Sequence, residues 1–201
     1  MEKLLTGQDR LIWLPELGMG FHTAKPMKYT NDYFEAYQKM DASEMGFELT
    51  AARMDLVDAH TEDKPVDIGI GGGLFVREFN CQGYDVNESA VNWLIDSGRY
   101  TDPYAMPIDA ITCWDSLEHI KEPEKLLNKV RGWVFVSLPI FENAEHCLNS
   151  KHFKPGEHIW YFTHDGFMSF MASQGFILKE YNQRETEIGR EGISSYAFKR
   201  A

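Results

Sequence analysis

Long apolar runs are missing from this sequence: none approaches the roughly 18 residues that a bilayer-spanning helix needs, so a membrane-embedded chain is not expected. Cysteine is scarce. Cys81, Cys113 and Cys147 are odd in number, far apart and form no C-x-x-C pair, which suggests neither a zinc site nor a disulfide framework. Basic residues are the minority, 20 Lys and Arg against 31 Asp and Glu, for a net charge of −11. Because they are also scattered, a phosphate-rich partner would be repelled at long range and nucleic acid is an unlikely partner. Residues 1–10 lack the apolar stretch and cleavage site of a secretory leader, so a reducing cytoplasm is expected. No internal repeat, low-complexity tract or linker interrupts the chain. What remains is 201 residues with 43% apolar and 25% charged side chains, ordinary for one soluble domain with a sizeable core.

Residues 1–30 mix Trp13, Pro15, Gly18, Gly20, Phe21 and Pro26 without periodicity and read as loop with short elements. From 31 to about 60 apolar residues recur every three or four positions, which predicts two amphipathic helices. Tyr33, Phe34 and Tyr37 share one helical face and are expected to pack in the core rather than form a lid. Such helices must bury a face, so residues 1–60 are expected to form a helical N-terminal cap on a core at 61–201. Beyond Lys64-Pro65, strands at 66–68, 83–86, 108–114 and 133–138 alternate with helices at 74–79, 88–96 and 123–130, which argues for a parallel sheet with crossovers. Asn87 or Asp85 would cap the helix at 88–96. A helix at 163–174 has Thr163 as its N-cap and Gly175 after its end, followed by an antiparallel closing pair at 176–181 and 194–199.

The chemistry concentrates in Val66-Asp67-Ile68-Gly69-Ile70-Gly71-Gly72-Gly73, with Gly83-Tyr84-Asp85 following. Glycines at a strand-to-helix turn let the backbone press against a ligand, and a carboxylate ending the next strand can accept hydrogen bonds from ribose hydroxyls. The spacing excludes two common phosphate binders. A dinucleotide fingerprint would need glycine where Leu74 stands, and a P-loop would need Gly-Lys-Ser/Thr. A nucleoside cofactor of another kind is the reading.

Asp67-x-Gly69-x-Gly71-x-Gly73 resembles motif I of the class I S-adenosylmethionine-dependent methyltransferases. Asp109 through Ile120, with Leu117-Glu118-His119 and then Pro123, resembles the Asp…Leu-Glu-His signature after strand four in the small single-domain members. Trp133 to Pro139, and His158-x-x-x-Phe162-Thr163 with Gly175-Phe176, continue the likeness across 66–176. The resemblance implies an α/β, Rossmann-like class I fold with S-adenosyl-L-methionine as cofactor. It implies that Asp67, Gly69, Ile70, Gly71 and Gly73 approach the methionine moiety, that Asp85 with Val86 meets the ribose, and that Trp114 and Asp115 border the adenosine or sulfonium. Methyl transfer to an oxygen or nitrogen on a small molecule or terminal group then follows, with His119 and His158 as bases and Glu118 beside them. A cofactor-binding sensor or partner subunit without catalysis is the alternative.

Two departures stand out. The span from Gly73 to Asp85 is shorter than usual, which implies a stunted first crossover, and 99–107 is a brief loop where relatives carry a strand and helix. Tyr100, Thr101 and Asp102 are the adenine contacts by position alone. Asp115-x-x-Glu118-His119 with His158 is also similar to the Glu-x-x-Glu-His…His magnesium set of small-RNA 3′-terminal ribose methyltransferases, which implies metal-assisted ribose methylation. Magnesium's preference for oxygen ligands argues against the metal and the −11 charge argues against an RNA partner, so a metal-free His119 base is favoured. His22 and His60 are expected on the surface or in loops, and His152 and His164 carry no expected role.

Overall fold

Residues 2–6, 9–23, 27 and 30–201 are described by the computed structural model; Met1, Gly7, Gln8 and Pro26 from the N-terminal reading lie outside them. In the region expected as loop with short elements, the elements are strands that join into a sheet. β1 (Glu2–Thr6), β2 (Asp9–Leu14) and β3 (Met19–His22) pair antiparallel in sequence order. Gly20 allows this ribbon to close, because a Cβ there would lie 2.6 Å from the Trp13 ring. The two expected helices follow as α1 (Asn31–Asp41) and α2 (Glu44–Asp58), the second capped by Ser43, whose hydroxyl accepts from Gly46 N–H.

The core alternates as expected. β4 (Val66–Ile68), α3 (Leu74–Glu78), β5 (Gln82–Tyr84), α4 (Glu88–Asp96), β6 (Ile108–Trp114), α5 (Pro123–Leu127) and β7 (Val130–Pro139) follow in turn. Asn87 caps α4 by accepting from Ser89 and Ala90 N–H. The helix read at 123–130 stops at Leu127, and β7 starts three residues before its expected beginning. α6 (Ala144–Asn149) and β8 (Trp160–Phe162) precede α7 (His164–Ser173), whose N-cap is Thr163 as expected. β9 (Phe176–Asn182), α8 (Arg184–Glu187) and β10 (Ile193–Arg200) complete the chain.

Six strands form the main sheet in the order β5-β4-β6-β7-β10-β9. The first four run parallel, and β10 is antiparallel to both its neighbours, so the mostly parallel sheet with a reversed closing pair is as the sequence pattern predicts. Alternation along each strand separates the two faces. Val134, Val136, Tyr196 and Phe198 pack with Leu126 and Phe167 on one side, while Phe135, Ala197 and Trp114 meet Phe75, Leu94 and Leu56 on the other. The N-terminal ribbon forms a second sheet, β1-β2-β3-β8, through pairing of Met19 to Phe21 with Trp160 to Phe162.

Histidine placement departs from expectation at His22. His22 is buried in β3 with its ring edge-on to Phe153, whereas His60 lies in the turn after α2 as expected, half-buried and paired with Glu180 at 2.9 Å. No described helix is long and apolar enough to cross a membrane.

Candidate functional site

A cleft of about 810 Å³ opens at the carboxyl ends of β4, β5 and β6 and is roofed by α1 and α2. Ligands of open parallel sheets sit at such an edge. Its floor starts at the glycine turn. Gly69 has φ +76° and a Cβ there would lie 2.8 Å from Ser116 Cβ, so only glycine fits. Gly71 lies against the Tyr37 ring of α1 and also lines the cleft. Gly73 does not: it stands behind the turn, where a Cβ would meet Trp93 at 2.9 Å, so its place there is explained by helix packing.

Two carboxylates flank this turn. Asp67, 1% exposed, accepts from Thr112 Oγ1 at 2.7 Å, and burial pushes its pKa up to about 7 despite that bond. Asp85 accepts from Ile70 N–H at 3.0 Å and from Asn87 N–H at 2.7 Å, which fixes its carboxylate at the end of β5. Exposed Val86 lines the cleft beside it, as does Ile70. Tyr100, Thr101 and Asp102 do not line it. The segment instead lies along β5, with Thr101 N–H donating to Gly83 O, and Tyr84 and Tyr104 line the cleft. All three residues of the helical face line the cleft: Phe34 is also buried in the core beside Trp93, while Tyr33 and Tyr37 are less buried.

Trp114 and Asp115 mark the middle of the floor. Asp115 has φ +52°, an uncommon conformation for a non-glycine residue, held by its N–H donating to Ser137 O at 2.8 Å. Its carboxylate meets two guanidiniums. Arg190 donates to it, and Arg53 Nη2 lies 3.2 Å away. Both arginines also bind buried Glu185, Arg53 as a fork at 2.8 and 3.0 Å and Arg190 at 2.7 Å. Burial alone would raise the Asp115 pKa, but Arg190 and Arg53 outweigh it and hold the carboxyl low. Arg53 also stacks 5.3 Å over Trp114. None of Arg53, Glu185 and Arg190 was expected as a site residue, because no local spacing links positions so far apart.

At the far end stand Glu118, His119 and His158. Glu118 and His119 sit on the 3₁₀ turn after β6, with Glu118 Oε1 3.8 Å from His119 Nε2. His158 comes from the segment before β8, its ring centroid 4.7 Å from that of His119. Main-chain bonds stitch the two segments together: Ile159 N–H donates to Glu118 O at 2.9 Å, and Trp160 Nε1 donates to Ile120 O at 2.9 Å. His119 and His158 line the cleft, while Glu118, 1% exposed, lies behind them. Burial, with Asp115 adding to it, raises the Glu118 pKa well above the carboxylate range. Burial lowers that of His119, and pushes His158 down to about 3, which leaves His158 a weak proton acceptor. His152 also lines the cleft, and its Nε2 donates to Glu191 O.

Residues 42–180 match a protein family described as a methyltransferase domain. Among curated proteins the chain is 27% identical over 119 residues to a ubiquinone biosynthesis O-methyltransferase of Chromobacterium violaceum, covering 45% of this chain and 51% of that protein. The chain thus spans about half the length of the curated relatives it matches. Among solved structures, a possible histamine N-methyltransferase of Thermotoga maritima superposes with a TM-score of 0.60 at 14% identity over 85% of this chain and 97% of that one. A glycopeptide N-methyltransferase in complex with S-adenosyl-L-methionine superposes with a TM-score of 0.54 at 11% identity over 76% of this chain and 87% of that one.

Proposed function

The chain belongs to the methyltransferase-domain family, with S-adenosylmethionine as its cofactor, and on that premise we propose that it transfers the sulfonium methyl group to an oxygen or nitrogen acceptor on a small molecule or terminal group. The observation that carries this reading is one continuous floor: the Gly69–Gly71 turn and Asp85 at one end, Trp114 in the middle, and His119 with His158 at the other. A volume of about 810 Å³ suits a nucleoside cofactor together with a modest acceptor.

The residues present fit the cofactor. Asp85 keeps acceptor capacity for ribose hydroxyls while its orientation is fixed by two main-chain donors. Gly69 and Gly71, both at positive φ, present backbone to the cleft. Arg53, held by Glu185 and Asp115 and laid over Trp114, lines the cleft between its two ends. When bound, the cofactor supplies an already activated methyl group, so this chain's task is alignment and removal of the acceptor's proton. His119 faces the cleft and receives that proton, and Glu118 behind it, 3.8 Å away, stabilises the imidazolium. His158 walls the acceptor side.

The names of the similar proteins are starting points only: ubiquinone biosynthesis O-methyltransferase for the Chromobacterium violaceum relative and possible histamine N-methyltransferase for the Thermotoga maritima one. A panel of phenols, catechols and primary amines, assayed for release of S-adenosylhomocysteine, tests the proposal. Turnover on any member supports it. Failure of calorimetry to detect either S-adenosylmethionine or S-adenosylhomocysteine binding overturns it.

A further inference from the structure

Glu118, His119 and His158 each offer one ligand atom, and all three atoms lie within 4.8 Å of one another. Both carboxylate oxygens of Glu118 are buried with no hydrogen-bond partner among the described residues, and so is Nδ1 of His158. A fully buried carboxylate left this way is costly unless it takes up a proton or a cation binds it. Its nearest cationic neighbours are engaged elsewhere: Arg190 and Arg53 are bound to Asp115 and Glu185, and Lys154 lies 3.5 Å from Glu157.

We propose that Glu118, His119 and His158 form a three-ligand site for a divalent transition ion of the zinc class, open on its fourth side to the cleft. Two ligands about 2.1 Å from one ion stand roughly 3.4 Å apart in a tetrahedron, so closing a cluster whose ligand atoms lie within 4.8 Å of one another takes a shift of at most about 1.4 Å along any edge. The bonds from Ile159 N–H to Glu118 O and from Trp160 Nε1 to Ile120 O already hold the two segments in register. The donor set decides the metal. Two imidazoles and one carboxylate suit zinc or a neighbouring transition ion, whereas magnesium takes an oxygen shell. Asp115, whose position in the sequence would make it a fourth, oxygen ligand, is withdrawn by its two arginines. The site is therefore not the four-ligand magnesium set that the sequence resembles.

This deepens the methyl-transfer reading and rests on it for the acceptor: the open position selects a hydroxyl. With the ion bound, His119 and Glu118 act as ligands instead of as proton acceptor and its partner: the acceptor O–H bond breaks as its oxygen binds the ion, and the proton leaves to solvent through the cleft. That oxygen then forms the bond to the methyl carbon as the carbon–sulfur bond breaks, releasing S-adenosylhomocysteine.

The test uses the full chain stripped with chelator and titrated with Zn2+ against a chromophoric competitor, with Co2+ absorption as the readout of geometry. One Zn2+ per chain with a Kd below about 1 μM is expected, together with a tetrahedral Co2+ spectrum. Glu118→Gln and, should that variant not fold, His158→Asn should each weaken Zn2+ binding at least about a hundredfold. Affinity unchanged in a folded variant overturns the site, as does binding of millimolar Mg2+ in place of Zn2+. Calorimetry of S-adenosylhomocysteine with the metal-free wild-type protein separates the two proposals: its binding stands or falls without reference to the metal.

Discussion

At the cofactor end of the cleft a ligand meets mostly backbone: the turn at Gly69 and Gly71, and a carboxylate on Asp85 that main-chain N–H groups hold in place. At the acceptor end it meets buried ionisable side chains, Glu118, His119 and His158, flanked by the Arg53–Asp115–Arg190–Glu185 network. The first end is assembled from residues within twenty positions of one another. The second needs contacts such as Arg53 to Glu185, 132 residues apart. Local backbone geometry can be written in a short motif. Charge compensation in a low-dielectric site has to be collected from across the fold.

The sharpest way to break this contrast is Arg53→Ala. It leaves Asp115 and Glu185 with a single guanidinium between them, and stripping one partner from a buried network costs about 3–5 kcal/mol. Urea unfolding should record a loss of that order; a loss below about 1 kcal/mol would mean the acceptor end does not depend on ionic pairing.

Asp67 is the exception at the cofactor end, a buried carboxyl raised to about 7. Its folded pKa lies above its unfolded value, so the folded state binds the extra proton between pH 4 and 7. Its contribution to stability is greatest below about pH 4, falls as pH rises to about 7, and is flat above. The fall amounts to as much as about 4 kcal/mol. Asp67→Asn should flatten that slope in unfolding measured from pH 4.5 to 8. A slope identical to wild type would assign the pH dependence to other groups.

Asp85→Ala addresses the cofactor end directly. Losing an acceptor for buried hydroxyls costs about 1–3 kcal/mol, so S-adenosylhomocysteine affinity should drop roughly ten- to a hundredfold by calorimetry. The smallest expected effect is at Asn87, whose side chain caps α4 and also donates to Thr30 O. Asn87→Ala should lower stability by about 1 kcal/mol, read by thermal unfolding, and leave the acceptor end untouched.

The same contrast sets what could be read from residue order. β6 falls at 108–114 as its apolar run predicts, Asn87 and Thr163 cap the helices expected of them, and Asp67, Gly69, Gly71 and Asp85 meet at one turn. Each rests on a period or spacing within one or two elements. Gly73 was assigned to the ligand and belongs to Trp93, because a glycine's spacing does not say which side chain presses on it. The ribbon at 2–22 was missed because its third strand finds its outer partner at 160–162, a pairing with no local signature. Tyr104 rather than Tyr100 lines the cleft because 99–101 is drawn onto β5, occupying the edge that a further strand would otherwise cover.

Ile159 sits between two main-chain hydrogen bonds, donating to Glu118 O and accepting from His22 N–H, both at 2.9 Å. The N-terminal ribbon and the acceptor-side cluster therefore open together or not at all. In amide exchange they form one cooperative unit: slow exchange at His22 and Ile159 shares a single opening free energy, set apart from that of the glycine turn. A strand far from the chemistry in sequence thereby governs how long the histidine pair stays assembled.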